Sequence, residues 1–211
     1  SDVYKRQRLC LVGVKIKMIN LNSSSKFSGS ITIPSDKSIS HRSAILNSIA
    51  YGKAEINNYS NGEDCISTLN VLKDLGVDIT IDNKEDFLNI KITGNGFDGL
   101  SMPSSILDVG NSGTTTRLIS GILSTLNFDT TLSGDDSLNS RPMKRIIDPL
   151  LKMGANISSD NNMAPLSFHP SKLKGIEFKM NISSAQVKSC IMLAALNSSS
   201  DLVSHLWFSF L

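Results

Sequence analysis

Two helix ends in this 211-residue chain are near copies of each other: Leu75-Gly76-Val77-Asp78-Ile79 and Met153-Gly154-Ala155-Asn156-Ile157, displaced by 154 − 76 = 78 residues. Each places glycine where a helix closes in the left-handed conformation, and each leads into paired strands. A spacing this long is not that of a solenoid, whose repeats run to about 20–50 residues. It predicts a domain assembled from copies of one α/β unit.

The order of parts agrees. A first copy runs from Ile31 through a helix at 38–50, a strand around 54–58, a helix at 63–75 and strands near 77–82 and 87–92. A second begins near Asp108, with helices at about 114–125 and 142–153 and strands around 128–133, 155–158 and 166–169. A third starts at Lys179-Met180-Asn181-Ile182-Ser183-Ser184-Ala185-Gln186, leads into the apolar helix Val187–Leu196, and is then cut short. With Lys37, Gly113 and Ala185 as corresponding helix starts, the steps are 113 − 37 = 76 and 185 − 113 = 72. Helix N-termini arranged this way are expected to converge on one ligand.

The ligand is expected to be an anion. In Ser35-Asp36-Lys37-Ser38-Ile39-Ser40-His41-Arg42, the cations Lys37 and Arg42 and the hydroxyls of Ser38 and Ser40 stand at a helix start, where unpaired N–H groups and the helix dipole favour negative charge. Ser38 and Arg42 are four apart and share a helix face. Gly110-Asn111-Ser112-Gly113-Thr114-Thr115-Thr116-Arg117 opens the second unit's apolar helix; its glycines allow close backbone approach, although alone it is equally a turn with an N-cap. It lacks both the P-loop lysine and the dinucleotide GxGxxG spacing. In Arg141-Pro142-Met143-Lys144-Arg145, Pro142 suits a first helical position, Lys144 and Arg145 read as a solvated face, and Arg141 lies where the dipole disfavours a cation unless it binds an anion. Ser184 and Gln186 offer a cap and an amide at the third start, His41 reads as a packing or surface residue, and Asp64 as a cap.

Composition sets the outer limits. Net charge is +2, which gives no basic footprint for nucleic acid. The three cysteines, Cys10, Cys65 and Cys190, lack metal or disulfide spacing, and the three histidines are scattered, so a reducing compartment and no metal centre are expected. The apolar run Leu9–Val14 is shorter than the roughly 7–15 residues of a signal-peptide core, which reads as non-secretory. Residues 1–25 read as an upstream segment, of which 1–17 precede the protein-like stretch opening at Met18, 26–196 as the domain, and 197–211 as an uncharacteristic tail.

Asp36–Arg42, Gly110–Thr114, Arg141–Met143 and Ser184–Gln186, in this order and spacing, resemble the 5-enolpyruvylshikimate-3-phosphate synthase family of enolpyruvyl transferases over about residues 26–196. The resemblance implies an α/β (α+β) fold of βαβαββ units, three to a domain and two domains in all, here one domain with a truncated third unit. It implies transfer of the enolpyruvyl group from phosphoenolpyruvate to the 5-hydroxyl of shikimate 3-phosphate, with release of phosphate and no metal or organic cofactor. Partners would be these small molecules, not nucleic acid or membrane, in a cytoplasmic protein that is monomeric when full length. Carried over residue by residue, Lys37 touches both substrates and is the catalytic candidate. Ser38, Arg42, Ser184 and Gln186 hold shikimate 3-phosphate; Gly113, Arg141 and again Gln186 contact phosphoenolpyruvate.

Family members are about twice as long, and the resemblance places their proton-transfer groups in a second half without counterpart here. An inactive, substrate-binding chain is therefore expected. The related UDP-N-acetylglucosamine enolpyruvyl transferases are the alternative; they carry Lys-Asn where this chain has Lys37-Ser38, and a reactive loop cysteine where Cys65 and Cys190 fall in helical segments.

Overall fold

The computed structural model describes residues 28–31, 33–180 and 183–198. The chain divides into two compact units, Ser1–Ile33 and Pro34–Leu211. The described helices and strands all lie in the second. Expectations for residues 1–25, for Cys10 and for the tail beyond Ser198 fall outside the described residues.

The order is α1 (Lys37–Ser48), β1 (Tyr51–Ser60), α2 (Glu63–Asp74), β2 (Asp78–Asn83), β3 (Phe87–Asn95), a 3₁₀ turn (Phe97–Gly99), β4 (Leu107–Asp108), α3 (Gly113–Leu123), β5 (Thr130–Ser133), α4 (Asp136–Asn139), α5 (Lys144–Met153), β6 (Asn156–Asp160), β7 (Met163–His169) and α6 (Ala185–Ala195). One sheet has the order β1-β3-β2 and the other β4-β5-β7-β6. Matching β1, β2 and β3 to β5, β6 and β7 makes the two orders identical, with β4 added in parallel beside β5. The repeat visible in the helix ends is thus a repeat of topology. The helix starts fall at Lys37, Gly113 and Ala185, as the 76- and 72-residue steps require.

Both glycine caps close alike. Gly76 and Gly154 have φ of 87° and 98°. Gly76 N–H donates to Lys73 O and Val77 N–H to Leu72 O, while Gly154 N–H donates to Leu151 O and Ala155 N–H to Leu150 O. The two reversed bonds satisfy carbonyls that a helix end leaves open.

Each central strand alternates strictly. Leu88, Ile90 and Ile92 of β3 and Ala164, Leu166 and Phe168 of β7 are buried, so one face of each sheet joins the common core. The helices supply the rest, among them Leu69, Ile119 and Leu150 at 0% exposure. Each such side chain contributes about 1.5–3 kcal/mol by leaving water. The core is closed by α3 against α6, where a Cβ on Gly121 would stand 2.3 Å from Cys190 O. Backbone meets backbone there, which needs glycine.

Two expectations are corrected. The segment after Arg141 becomes helical at Lys144, with Met143 as its N-cap, so Pro142 precedes the helix instead of opening it. Met143 N–H is taken by Asn162 O at 2.7 Å, which fixes this entry. The short helix α4 ends just before Arg141, whose N–H bonds Leu138 O at 2.9 Å. Arg141 therefore sits past a helix C-terminus, where a cation is favoured, and the dipole argument for an anion at Arg141 does not hold.

Candidate functional site

Three helices present capped first turns. Asp36, Ser112 and Ser184 each accept from the backbone N–H three residues on: Ile39 at 2.7 Å, Thr115 at 3.2 Å and Val187 at 3.3 Å. Side chains tie these turns together. Gln186 Nε2 donates to Thr114 Oγ1 at 3.0 Å while its Oε1 accepts from Arg117 Nη1 at 3.0 Å, joining α6 to α3. Arg42 donates from Nε and Nη2 to Ser189 Oγ, joining α1 to α6.

Of the residues singled out from sequence, Lys37 leads α1 with its ammonium on Asp64 Oδ2, in the first turn of α2. Asp64 makes no cap: α2 is capped by the Gly62 backbone without a side-chain bond, which frees the carboxylate for Lys37. Ser38 is exposed, and its carbonyl accepts from Arg42 Nη1 at 3.1 Å. Ser184 accepts at its own helix start, leaving its hydroxyl proton to donate elsewhere. Arg141 reaches back to Asn111, donating to its side-chain oxygen and, at 3.4 Å, to its carbonyl. Asn111 is in turn oriented by Asp135, which accepts from its amide at 2.7 and 3.0 Å.

Gly113 lies between two guanidiniums. A Cβ built there would stand 2.9 Å from Arg117 Nη1 and 3.5 Å from Arg141 Nη1. The missing side chain leaves room for both arginines over the α3 N-terminus.

Beside them lies a cleft of about 840 Å³ lined by Arg117, Arg141, Lys144, Arg145, Lys152 and Lys179. Its lining carboxylate, Asp148, accepts from Lys144 at 3.1 Å. Lys144 is exposed, in keeping with a solvated face. Lys152 stands 5.6 Å from the Phe178 ring centroid, within cation–π range. Burial, and next the charges of Arg141 and Arg145, lower the pKa of Arg117. Its hydrogen bonds go to Gln186 Oε1 and Gly113 O, and no carboxylate holds it among the described residues.

Sequence reasoning assigned no role to Arg117, although its place four residues after Gly113 on the same face was a usable signal. His41 is a packing residue, fully buried, with its pKa held down at about 4 by burial and then by the Lys37 charge, partly opposed by Asp64. Cys65 and Cys190 are buried in helices, and burial raises both thiols, Cys190 to about 12. Neither is poised as a nucleophile. Among the described residues, no three His, Cys, Asp or Glu side chains group to hold a metal ion, and no helix is long and apolar enough to cross a membrane.

Residues 21–206 match the family model for EPSP synthase (3-phosphoshikimate 1-carboxyvinyltransferase). The chain is 55% identical over 169 residues to a 3-phosphoshikimate 1-carboxyvinyltransferase of Thermoanaerobacter sp. (strain X514), covering 80% of this chain and 39% of that protein. It is 47% identical over 188 residues to one from Alkaliphilus metalliredigens (strain QYMF), covering 88% and 43%. A solved EPSP synthase from Acinetobacter baumannii superposes with a TM-score of 0.75 at 43% identity, over 81% of this chain and 38% of that one. The chain thus spans about two fifths of the length of the relatives it matches.

Proposed function

Since this chain belongs to the EPSP synthase family, we propose that it supplies the first-domain substrate contacts for transfer of the enolpyruvyl group from phosphoenolpyruvate to the 5-hydroxyl of shikimate 3-phosphate, with release of phosphate. The observation that carries this reading is Arg117 beside Gly113 and Arg141: a part-buried guanidinium whose charged neighbours are further cations. Such a cluster is stabilised by a dianion, and arginine pairs are suited to bidentate contact with phosphate and carboxylate.

In this reading Gly113 N–H and Arg141 receive phosphoenolpyruvate. Arg42, Ser38 and the free proton of Ser184 hold shikimate 3-phosphate, with Gln186 between the two. Lys37 exchanges Asp64 for the substrates and is the catalytic candidate. No metal or organic cofactor enters, and the setting is a cytoplasmic protein, monomeric when full length, acting on small anions and not on nucleic acid or membranes. Proton transfer, worth about 10²–10⁴-fold, falls to groups that the family resemblance assigns to its second half, so the 211 residues bind without turnover.

Calorimetric titration of the 211-residue chain with shikimate 3-phosphate tests the binding. Phosphate release in the presence of phosphoenolpyruvate, against a heat-killed blank, tests the turnover. Saturable binding without release is expected. Steady release would place a general acid within this chain, and binding of UDP-N-acetylglucosamine instead of shikimate 3-phosphate would overturn the substrate assignment.

A further inference from the structure

Between the N-terminal halves of α1, α2 and α3 lies a polar cluster that the proposed transfer does not use: His41, Thr68, Ser112 and Thr115, each at 0% exposure. His41 Nδ1 is 2.6 Å from Thr68 Oγ1, and Thr68 Oγ1 is 2.7 Å from Thr115 Oγ1. Thr115 Oγ1 is 2.7 Å from Ser112 Oγ and 3.2 Å from the Asp64 carbonyl oxygen. The fifth group, a carbonyl, can only accept.

Counting protons fixes the direction of these bonds. Thr68 Oγ1 also stands 3.5 Å from the Asp64 carbonyl oxygen, beyond the ordinary O–H···O range, and the four shorter contacts require four protons, of which the three hydroxyls supply three. The fourth is available only if the imidazole carries its proton on Nδ1. The opposite tautomer loses one contact and also strands a buried N–H, because Nε2 has no hydrogen-bond partner. With the proton on Nδ1, Nε2 carries only an unused lone pair.

We infer that His41 is the positioning residue of this site: its Nδ1–H heads a one-way chain through Thr68 and Thr115 to the Asp64 carbonyl. That chain sets the α2 turn that carries the partner of Lys37, and the α3 start that carries Gly113. Ser112, which donates into Thr115 Oγ1 and accepts Thr115 N–H at 3.2 Å, locks the α3 cap to the same chain. The low pKa of the imidazole accords with a ring that stays neutral.

The hydrogen-bond assignment stands without ligand, whereas its effect on affinity rests on the proposed substrate. In ¹⁵N-labelled 211-residue chain at neutral pH, long-range ¹H–¹⁵N spectra are expected to show the His41 ring proton on Nδ1. His41→Asn places an amide N–H about where Nδ1–H stands, so exchange of the Thr115 amide and affinity for shikimate 3-phosphate should stay within about twofold of the parent. His41→Phe and Thr68→Val break the chain. Each should speed that exchange, and weaken that affinity, roughly tenfold or more, as expected when a buried polar group loses its partner.

A proton on Nε2 overturns the inference, as does Thr115 exchange that is equal in the parent chain and Thr68→Val, or in His41→Asn and His41→Phe. Should His41→Phe not fold, Thr68→Val and the parent spectrum decide. If the parent chain binds no shikimate 3-phosphate, the functional reading fails while the tautomer and exchange results still judge His41.

Discussion

Arg42 in α1 donates from Nη2 and Nε to the Ser189 hydroxyl in α6, at 3.1 and 3.3 Å, across 147 residues of sequence. Ser189 Oγ in turn donates to Ala185 O at 2.8 Å, so its proton is committed to its own helix and its lone pairs to the arginine. Helix α1 thereby grips α6 one turn beyond its Ser184 cap. Ser189→Ala is expected to weaken shikimate 3-phosphate binding a few-fold by loosening Arg42, and Arg42→Ala roughly 10- to 100-fold by removing a charge-assisted contact. Calorimetry on the two variants checks the ranking, and a larger loss from Ser189→Ala would contradict it.

Lys37 and Arg141 are assigned to substrate and Lys144 to solvent. Lys37→Ala should weaken binding of shikimate 3-phosphate, and Arg141→Ala binding of phosphoenolpyruvate, each by about 1.5–3 kcal/mol. Lys144→Ala removes an exposed i,i+4 pair with Asp148, worth about 0.3–0.5 kcal/mol, and should leave both affinities nearly unchanged. Equal losses at all three positions would remove the basis of the assignment.

His41 links the fold to pH. Its pKa falls from the ordinary 6.5 to about 4 on folding, so between these values the unfolded chain binds a proton that the folded chain refuses. The contribution of His41 to stability is therefore complete above about pH 6.5 and declines as pH falls toward 4, by roughly 3 kcal/mol in all. Urea unfolding midpoints at several pH values from 7 to 5 should fall in the parent chain and fall less in His41→Asn. Parallel profiles would show that other groups govern the acid limb.

Two glycines should respond differently to the same methyl. At Gly121 a Cβ meets Cys190 O at 2.3 Å and Ala194 N at 3.2 Å, both backbone atoms, so Gly121→Ala must separate α3 from α6. Destabilisation of about 1–3 kcal/mol or more is expected. At Gly113 the nearest atom, at 2.9 Å, is the mobile end of Arg117. Gly113→Ala should keep most of the stability and lose affinity for phosphoenolpyruvate. Thermal melts beside titrations separate the two outcomes.

The features legible in sequence were those written in local chemistry. Glycine caps at 76 and 154 and capped starts at Lys37, Gly113 and Ala185 depend on a few adjacent residues, and all lie where expected. The start of α5 was not legible, because it depends on Asn162 O holding Met143 N–H from the hairpin between β6 and β7. The short helix α4 was missed for a related reason: Asp135 both caps it and orients Asn111, a tertiary demand with no periodicity. Asp64 and His41 have sequence neighbours that suggest capping and packing. Their partners, Lys37 and Thr68, lie 27 residues away, and only folding brings them together.

The three helix caps also differ in charge. Asp36 brings its own negative charge to α1, whereas α3 and α6 are capped by the neutral hydroxyls of Ser112 and Ser184. The dipole of α1 is already answered from within the chain, and those of α3 and α6 are left for a ligand. Part of the attraction at the Gly113 and Ser184 ends therefore belongs to peptide groups, which no side-chain truncation can delete. Loss of any one arginine or lysine should leave a weakened site that still prefers anions, and a reversal of that preference would require the helices themselves to move.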